Sequence, residues 1–235
     1  GVLGQNIDTS ITACGTSAQI KGDINLGGFV GLHSSGTISE CYAKGTINEP
    51  GSQFVGGFVG NNAGHIINCY STSRVTAYAN TGGFSGINSN TIEKCYSVGV
   101  VKGTSSDAEL ETVGGFNGFN KKGTFNFCYW DMEASMQKES DGAFALTTQE
   151  MKCNTTYTGW DFVGIWFIRN RIEYPVLRWQ GNYEGEDMGS CEDVTEGTAE
   201  GMTEGAVEGT VEGEGSAEGT ADGSTEGEGS TEGTT

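Results

Sequence analysis

Apolar residues recur in a fixed order over the first half of the chain. The tripeptide Gly-Gly-Phe begins at Gly27, Gly56, Gly82 and Gly114, and a Cys follows it 13 or 14 residues later each time. An apolar residue stands three positions before each of these cysteines, and a β-branched residue stands six positions after three of them. This spacing shows no helical period. It predicts three short strands per repeat, with successive repeats stacked on one another.

Stacking explains how such short strands are stabilised. A strand of three or four residues cannot bury a face alone, whereas coils about 4.8 Å apart give each strand a partner above and below. The same register extends back to Cys14, and residues 1–4 match residues 28–31. The sequence therefore predicts an all-β fold, a parallel β-solenoid (β-helix) of about five coils over residues 1–128. Because residue 1 falls inside a repeat, we expect at least one further coil to precede it.

Two rows of side chains are predicted to run along the stack. A cysteine row is predicted to be a ladder of small buried apolar groups, because neighbouring Cβ vectors run side by side and no Cys-X-X-Cys or nearby His accompanies them. A row of amides, with His33 in one coil, is predicted to pass hydrogen bonds between coils. Gly36, Gly64, Asn90 and Gly123 share a position that predicts a left-handed backbone. The two ladders comprise Cys14, Cys41, Cys69, Cys95 and Cys128, and Asn6, Asn62, Asn88 and Asn120.

The repeat is similar to a known family. Gly-Gly-Phe-Val-Gly at 56–60 and Cys-Tyr-Ser at 69–71 and 95–97 closely resemble the GLUG repeat. The likeness is best over residues 56–75 and 82–101 and extends over about residues 1–130. The resemblance implies a large secreted or surface-attached bacterial or archaeal protein, often adhesin-like and sometimes found alongside a protease. Gly15 in place of Tyr and Asn117 in place of Val depart from the pattern in the end repeats.

Residues 129–183 are predicted to form a small C-terminal cap. Thr147 and Glu150 fit the capping box of a short helix. Residues 159–163, 165–168 and 174–179 are predicted to be strands, and this stretch resembles the segment that commonly follows GLUG arrays. Because the open end of a solenoid is an exposed sheet edge, we expect three tryptophans of this segment to cover it.

The remainder of the chain, residues 184–235, is predicted to be a disordered acidic linker. It carries 16 of the 31 acidic residues, no Lys or Arg and no aromatic residue. Such a composition cannot offset the entropy of ordering the chain. We expect a further module or anchor beyond it. The rest of the chain is almost neutral, which disfavours nucleic-acid binding, and it contains no apolar run of the roughly 18 residues that a membrane span needs.

No catalytic, metal or cofactor site is predicted. His33 and His65 occupy different repeat positions, and neither has a visible Ser or acid partner. The acids of the coils also occupy unlike positions. Only Glu40 and Glu93 come near one another in register, two coils apart, so paired-carboxylate glycoside chemistry is not expected. Cys153 and Cys191 lie outside the ladder and could pair in an oxidising compartment.

The spacing between repeats indicates a candidate binding face. The segment before each Gly-Gly-Phe varies from 6 to 12 residues, and residues 102–113 are the longest. Insertions at one corner of a solenoid tend to line one face, which is often the binding face. The alternative is a tolerated loop with no function. The candidate binding residues are Lys102, Thr104, Ser105, Ser106, Asp107, Glu109 and Glu111.

Together these features predict a non-enzymatic structural or adhesion segment of a secreted or cell-surface protein. It would bind a glycan or a surface or matrix protein through its corner loops and would belong to a polypeptide with further modules at both ends. The competing hypothesis is a carbohydrate-active β-helix enzyme, or a binding module attached to one. Aligned acids in a groove would favour the enzyme.

Overall fold

A computed structural model describes residues 1–106 and 112–191. Three parallel sheets run along the repeats, which confirms the predicted all-β parallel β-solenoid. Sheet A has five strands in register, and four complete turns therefore separate its first strand from its last, compared with the predicted total of about five coils. The strands of sheet A are Leu3–Asn6, Val30–His33, Val59–Asn62, Ser85–Asn88 and Asn117–Asn120.

Sheet B is formed by the short strands just before the cysteines and sheet C by the strands that follow the cysteines. The five strands of sheet B are Ile11–Thr12, Thr37–Ser39, His65–Ile67, Thr91–Glu93 and Thr124–Asn126. The ten strands of sheet C are Gly15–Ile20, Ile24–Gly27, Tyr42–Gly56, Tyr70–Ser71, Arg74–Gly82, Tyr96–Ser97, Val101–Gly103, Val113–Gly114, Tyr129–Asp131 and Phe144–Leu146.

A column of Phe rings fills the solenoid. The rings of Phe29, Phe58, Phe84 and Phe116 are wholly buried and stack with centroids 4.8–4.9 Å apart. That distance equals the spacing of neighbouring parallel strands, so each ring packs on the ring of the next coil. The Ile and Cys rows complete this core. The periodic apolar positions of the sequence are therefore the inward positions of the coils.

The third strand is longer than predicted in the second and third repeats. Tyr42–Gly56 and Arg74–Gly82 are continuous strands that run through the segments predicted to be corner loops. They bend at Phe54 and Asn80, which have positive φ, as does Asn25 in the preceding coil. A second small core of Leu26, Ile47, Val55, Val75 and Ala77 lies inside this bend.

The left-handed backbone position differs from the predicted one. Of Gly36, Gly64, Asn90 and Gly123, only Gly36 has a positive φ, at 90°. Gly64 and Gly123 have another reason to lack a side chain, since a Cβ would lie 2.2 Å from His33 Nε2 and 2.1 Å from Asn88 Nδ2. The position that is left-handed in every coil is the residue before each Cys, with φ of 49–53° at Ala13, Glu40, Asn68, Lys94 and Phe127.

The C-terminal segment closes the solenoid end differently from the prediction. Trp130 is buried in the Phe core. Residues 139–146 then lie over the last coil, where the Ser140 hydroxyl accepts from the backbone N–H of Phe116 and Asn117, and Phe144–Leu146 pairs with Tyr129–Asp131. The prediction that three tryptophans cover the end was wrong, because Trp160, Trp166 and Trp179 lie against the side of the stack.

The tryptophans on the side are held by the tyrosines that follow the cysteines. Trp179 stacks on Tyr42, and Trp166 contacts Tyr70 and Tyr96. Each indole N–H also donates to a left-handed corner residue of a different coil. The acceptors are the Glu40 carbonyl (2.9 Å), the Asn68 side chain (3.3 Å) and the Phe127 carbonyl (3.1 Å). The cap is therefore bound laterally across several coils.

Short elements make up the rest of the cap. Two α-helices span Met132–Ser135 and Thr148–Met151, two 3-10 helices span Asn154–Thr156 and Arg178–Gln180, and Trp166–Phe167 pairs antiparallel with Val176–Leu177. The predicted capping box at Thr147 is confirmed. The strand predicted over residues 159–163 is absent from the described part of the chain, where this stretch contains turns.

The predicted boundary between cap and linker was too early. Tyr183 stacks on Phe167 at 4.3 Å, and the Asn170 N–H donates to the Met188 carbonyl. Cys191 is paired with Cys153 in a disulfide, with a Cα–Cα distance of 5.6 Å. The cap therefore extends to Cys191. The remainder of the predicted linker, residues 192–235, lies outside the described residues.

Candidate functional site

The predicted binding loop begins and ends on strands of the neighbouring coils. Thr104 donates its hydroxyl to the Pro50 carbonyl at 2.6 Å, which joins the fourth coil to the second. Thr112 donates its hydroxyl to the Asn80 side chain at 2.9 Å, and the Asn80 N–H donates back to it. The segment leaves and re-enters the fold at fixed points. Its middle residues Asp107, Glu109 and Glu111 lie outside the described part of the chain.

The structure brings some of the candidate residues to one surface. Lys102, Thr104 and Ser106 are exposed. Ser105 is buried, with its N–H donated to the Tyr78 carbonyl, so it supports the loop and is not positioned to contact a ligand. We call the outward side of residues 48–53, 76–80 and 102–106 the corner surface.

The second coil contributes an insertion to the corner surface. Glu49 pairs with Ala77 and Gln53 with Ala79, so residues 50–52 of the second coil oppose Tyr78 alone. A bulge of this kind redirects side chains and interrupts pairing. The Pro50 carbonyl reaches the Thr104 hydroxyl through it. The length difference is visible in the sequence but this contact is not, because no local signal pairs residues 54 positions apart.

The cysteine ladder is structural. All five of its thiols are free, and four are fully buried. Each thiol donates to the carbonyl two residues earlier, at 3.1–3.5 Å, and the N–H of Cys41 and of Cys69 donates to the sulfur of the next coil. Burial raises the pKa of Cys95 well above its usual value. The predicted ladder of small buried groups is thus present, and its thiols also satisfy the backbone of the left-handed corner.

The amide ladder is in register, but it links coils less often than predicted. Asn62 donates to Asn88 at 2.8 Å, and Asn6 contacts His33 Nδ1 at 3.2 Å. Asn120 instead bonds within its own turn, to the backbone of Gly123. These side chains thus close turns within a coil, and they join neighbouring coils at two places, Asn6 to His33 and Asn62 to Asn88.

His33 gives the amide ladder a pH dependence that can be measured. The ring is wholly buried, and burial lowers its pKa below 6.5. Nε2 lies 3.4 Å from the His65 carbonyl, an acceptor, while Nδ1 faces the Asn6 amide, so the neutral ring fits both contacts. The unfolded chain takes up this proton first as the pH falls below about 6.5, so the free energy of unfolding should decrease there by up to about 1.4 kcal/mol per pH unit.

His33→Asn, which installs the residue of the other coils, should remove that part of the acid sensitivity. Urea unfolding at about pH 7 and pH 5.5 measures the free energy of unfolding of both proteins. His65→Asn, at a half-exposed position, serves as the control and should retain the loss seen in the parent protein. An identical loss in the parent and in His33→Asn would contradict the assignment.

One buried carboxylate was missed by sequence analysis. Asp131 has no solvent exposure, and it accepts hydrogen bonds from the N–H groups of Glu133 and Ala134 and from the hydroxyls of Thr148 and Tyr174, at 2.7–2.9 Å. Burial and the hydrogen bond to Asp131 raise the pKa of Tyr174 to about 12. Asp131 joins the end of sheet C to both helices of the cap. Its only sequence signal is its place before a short helix, where Asp is favoured.

Ionisable groups in the described residues form no group of three or more His, Cys, Asp or Glu that could hold a metal ion. Glu93, one of the two acids that come near one another in register, has its carboxylate 3.3 Å from Lys94 Nζ. None of the helices in the described part is long and apolar enough to cross a membrane.

The geometry defines the class of the protein, a parallel β-solenoid built from repeats of one three-strand unit. The GLUG motif matches residues 22–48 and 51–76. The chain therefore carries GLUG repeats, and the later coils stack on the matched ones in the same register. No curated protein matched the chain. No solved structure matched it either.

Proposed function

We propose that this chain is a rigid, non-enzymatic segment of a secreted or cell-surface protein, and that its corner surface binds a glycan or a surface or matrix protein. The observation that carries the proposal is the anchoring of the longest corner loop. Thr104 and Thr112 fix its two ends on the second and third coils while Lys102 and Ser106 remain exposed. Binding residues are commonly found on loops that a rigid scaffold positions in this way.

Two further features support the location and the structural role. Cys153 and Cys191 form a disulfide, and disulfides persist in oxidising environments such as the cell exterior. The Phe column, the Cys ladder and the Tyr row run through successive coils, so each coil is packed on the next. Continuous packing of this kind makes a stiff rod, which suits a stalk that displays a binding surface.

The test is binding of the whole chain to arrays of neutral and acidic glycans and of matrix proteins. The decisive variant replaces residues 106–111 by Gly and Ser at equal length, which preserves the Thr104 and Thr112 anchors. The control replaces Lys121 and Lys122, at a different corner, by Gly. Binding that the loop variant reduces at least about tenfold, with the control unchanged, would support the proposal.

Two results would contradict it. Absence of binding to every glycan and matrix protein would leave a spacer only. Hydrolysis of an arrayed glycan would instead favour the carbohydrate-active enzyme, and substitution of Glu40 and Glu93, the acids nearest in register, would then be the next experiment.

A further inference from the structure

The C-terminal end of the solenoid leaves the edge of one sheet open. Residues 139–141 cover the last strand of sheet A, where Ser140 accepts two backbone N–H groups and Asp141 accepts the N–H of Asn120 at 2.6 Å. Sheet C ends at Phe144–Leu146, which pairs with Tyr129–Asp131 on one side. Among the residues that the structure describes, no strand pairs with its other side.

The backbone at this edge is oriented for pairing. The Phe144 N–H donates to the Cys128 carbonyl, inside the sheet, at 2.9 Å. Because alternate residues of a strand bond to opposite neighbours, the N–H and carbonyl of Ala145 point to the open side. Ala145 is exposed. An edge of this kind is a template for another strand unless charges or Pro block it, and Phe144–Leu146 contains neither.

A shallow apolar groove runs beside the same edge. It has a volume of about 380 Å³ and is lined by Phe127, Tyr129, Phe144, Ala145, Leu146, Thr156 and Thr158. Phe144 is 60% exposed and Phe127 is 42% exposed. Apolar side chains this exposed, side by side in a groove, mark an interaction site more often than scattered ones do. The lining contains no charged residue.

We propose that this groove binds an extended, uncharged segment of another polypeptide. The segment adds a strand to the edge of sheet C at Ala145 and places an aliphatic or aromatic side chain against Phe127 and Phe144. The open main-chain groups favour a peptide over a sugar, since strand addition draws its affinity from the backbone and its specificity from side-chain pockets. This site is separate from the corner surface and does not depend on it.

The test is an array of acetylated, amidated heptapeptides of varied sequence, presented to the whole chain beside an array of neutral oligosaccharides. Bound peptides should carry an apolar residue with no Asp or Glu beside it. The strongest binder is then made in two forms, one with N-methyl groups on its odd-numbered amides and one with them on its even-numbered amides, and both keep the side chains in place. In one of the two forms the methyl groups replace the N–H groups that face the edge, and fluorescence anisotropy should show at least about tenfold weaker binding of that form.

Two variants of the protein complete the test. Ala145→Pro removes the outward N–H without a loss of pairing inside the sheet, because Pro is tolerated on edge strands whose N–H faces solvent. Phe144→Ser removes the exposed ring. Each should weaken binding at least about tenfold, whereas Phe119→Ser, at an exposed ring on sheet A, should leave it within about twofold. The thermal unfolding midpoint checks that each variant folds.

The proposal would be overturned if no heptapeptide distinguished the parent protein from Phe144→Ser. Equal binding of the unmethylated peptide and both methylated forms would also overturn it, since strand addition requires the amides. An oligosaccharide that bound the parent but not Phe144→Ser would assign the groove to a sugar instead.

Discussion

Gly56→Ala should abolish cooperative folding of the middle coils, with a loss of at least about 4 kcal/mol in the free energy of unfolding. A Cβ at this position would lie 2.0 Å from the Val59 carbonyl oxygen and 2.6 Å from the Phe84 carbonyl oxygen. Both are backbone atoms, the first in the same turn and the second in the next coil, so no side chain can move aside. The coils would have to separate, which breaks the Phe stack and the strand pairing together.

Gly51→Ala is the matched control, since Gly51 lies in the same strand, Tyr42–Gly56. A Cβ there meets nothing within 4 Å. Reduced freedom of the unfolded chain should make this variant neutral or more stable by up to about 1 kcal/mol. Urea unfolding followed by tryptophan fluorescence and circular dichroism compares the two. Similar unfolding midpoints for both variants would show that close backbone packing does not limit this position.

Asp131→Ala should cost about 3–5 kcal/mol, because it removes a fully buried acceptor that receives four hydrogen bonds. Two of these are the N–H groups that begin the helix Met132–Ser135, and two are hydroxyls from the cap. The hydroxyls of Thr148 and Tyr174 would lose the carboxylate that accepts from them. We expect the cap to loosen first, which a blue-to-red shift in tryptophan emission would report before the sheets unfold.

Asp161→Ala provides the comparison for Asp131. The Asp161 carboxylate also accepts two N–H groups, from Val163 and Gly164, at 2.8 Å, but it is exposed to solvent. Water replaces a lost exposed acceptor, so this change should cost about 1 kcal/mol or less. Denaturant titration measures both costs. Equal costs would mean that burial of Asp131 does not determine its contribution.

The repeated pattern predicted the solenoid well because the same two physical requirements act in every coil. Inward positions must be apolar, and positions of closest backbone approach must be Gly, so register could be read from Gly-Gly-Phe and Cys alone. The left-handed corner could not be read in the same way. Its residues are Ala13, Glu40, Asn68, Lys94 and Phe127, and only Asn68 is a type that commonly adopts this backbone. The stacking of neighbouring coils imposes the conformation against local preference.

The contacts of the cap could not be predicted from the sequence either. The Tyr that follows four of the five ladder cysteines was visible in the sequence, but nothing local indicates which residues cover its outward ring. The cap residues that bind this row lie far along the chain, 110 positions away in the hydrogen bond from Tyr70 to Gln180. The candidate binding loop was found from its length. Its anchors at Pro50 and Asn80 depend on tertiary contacts that no local signal encodes.

The lateral attachment of the tryptophans changes how this array should behave as a whole. In a simple stack each coil contacts only its neighbours, so coils can open one at a time from either end. Here one segment bonds at once to the second, third and fifth coils through Trp179, Trp166 and Trp160. The cap segment therefore holds these coils together. Coils two to five must open together with it, while the first coil, which has Gly15 in place of a Tyr, lies outside the coils that this segment joins and can open separately from them.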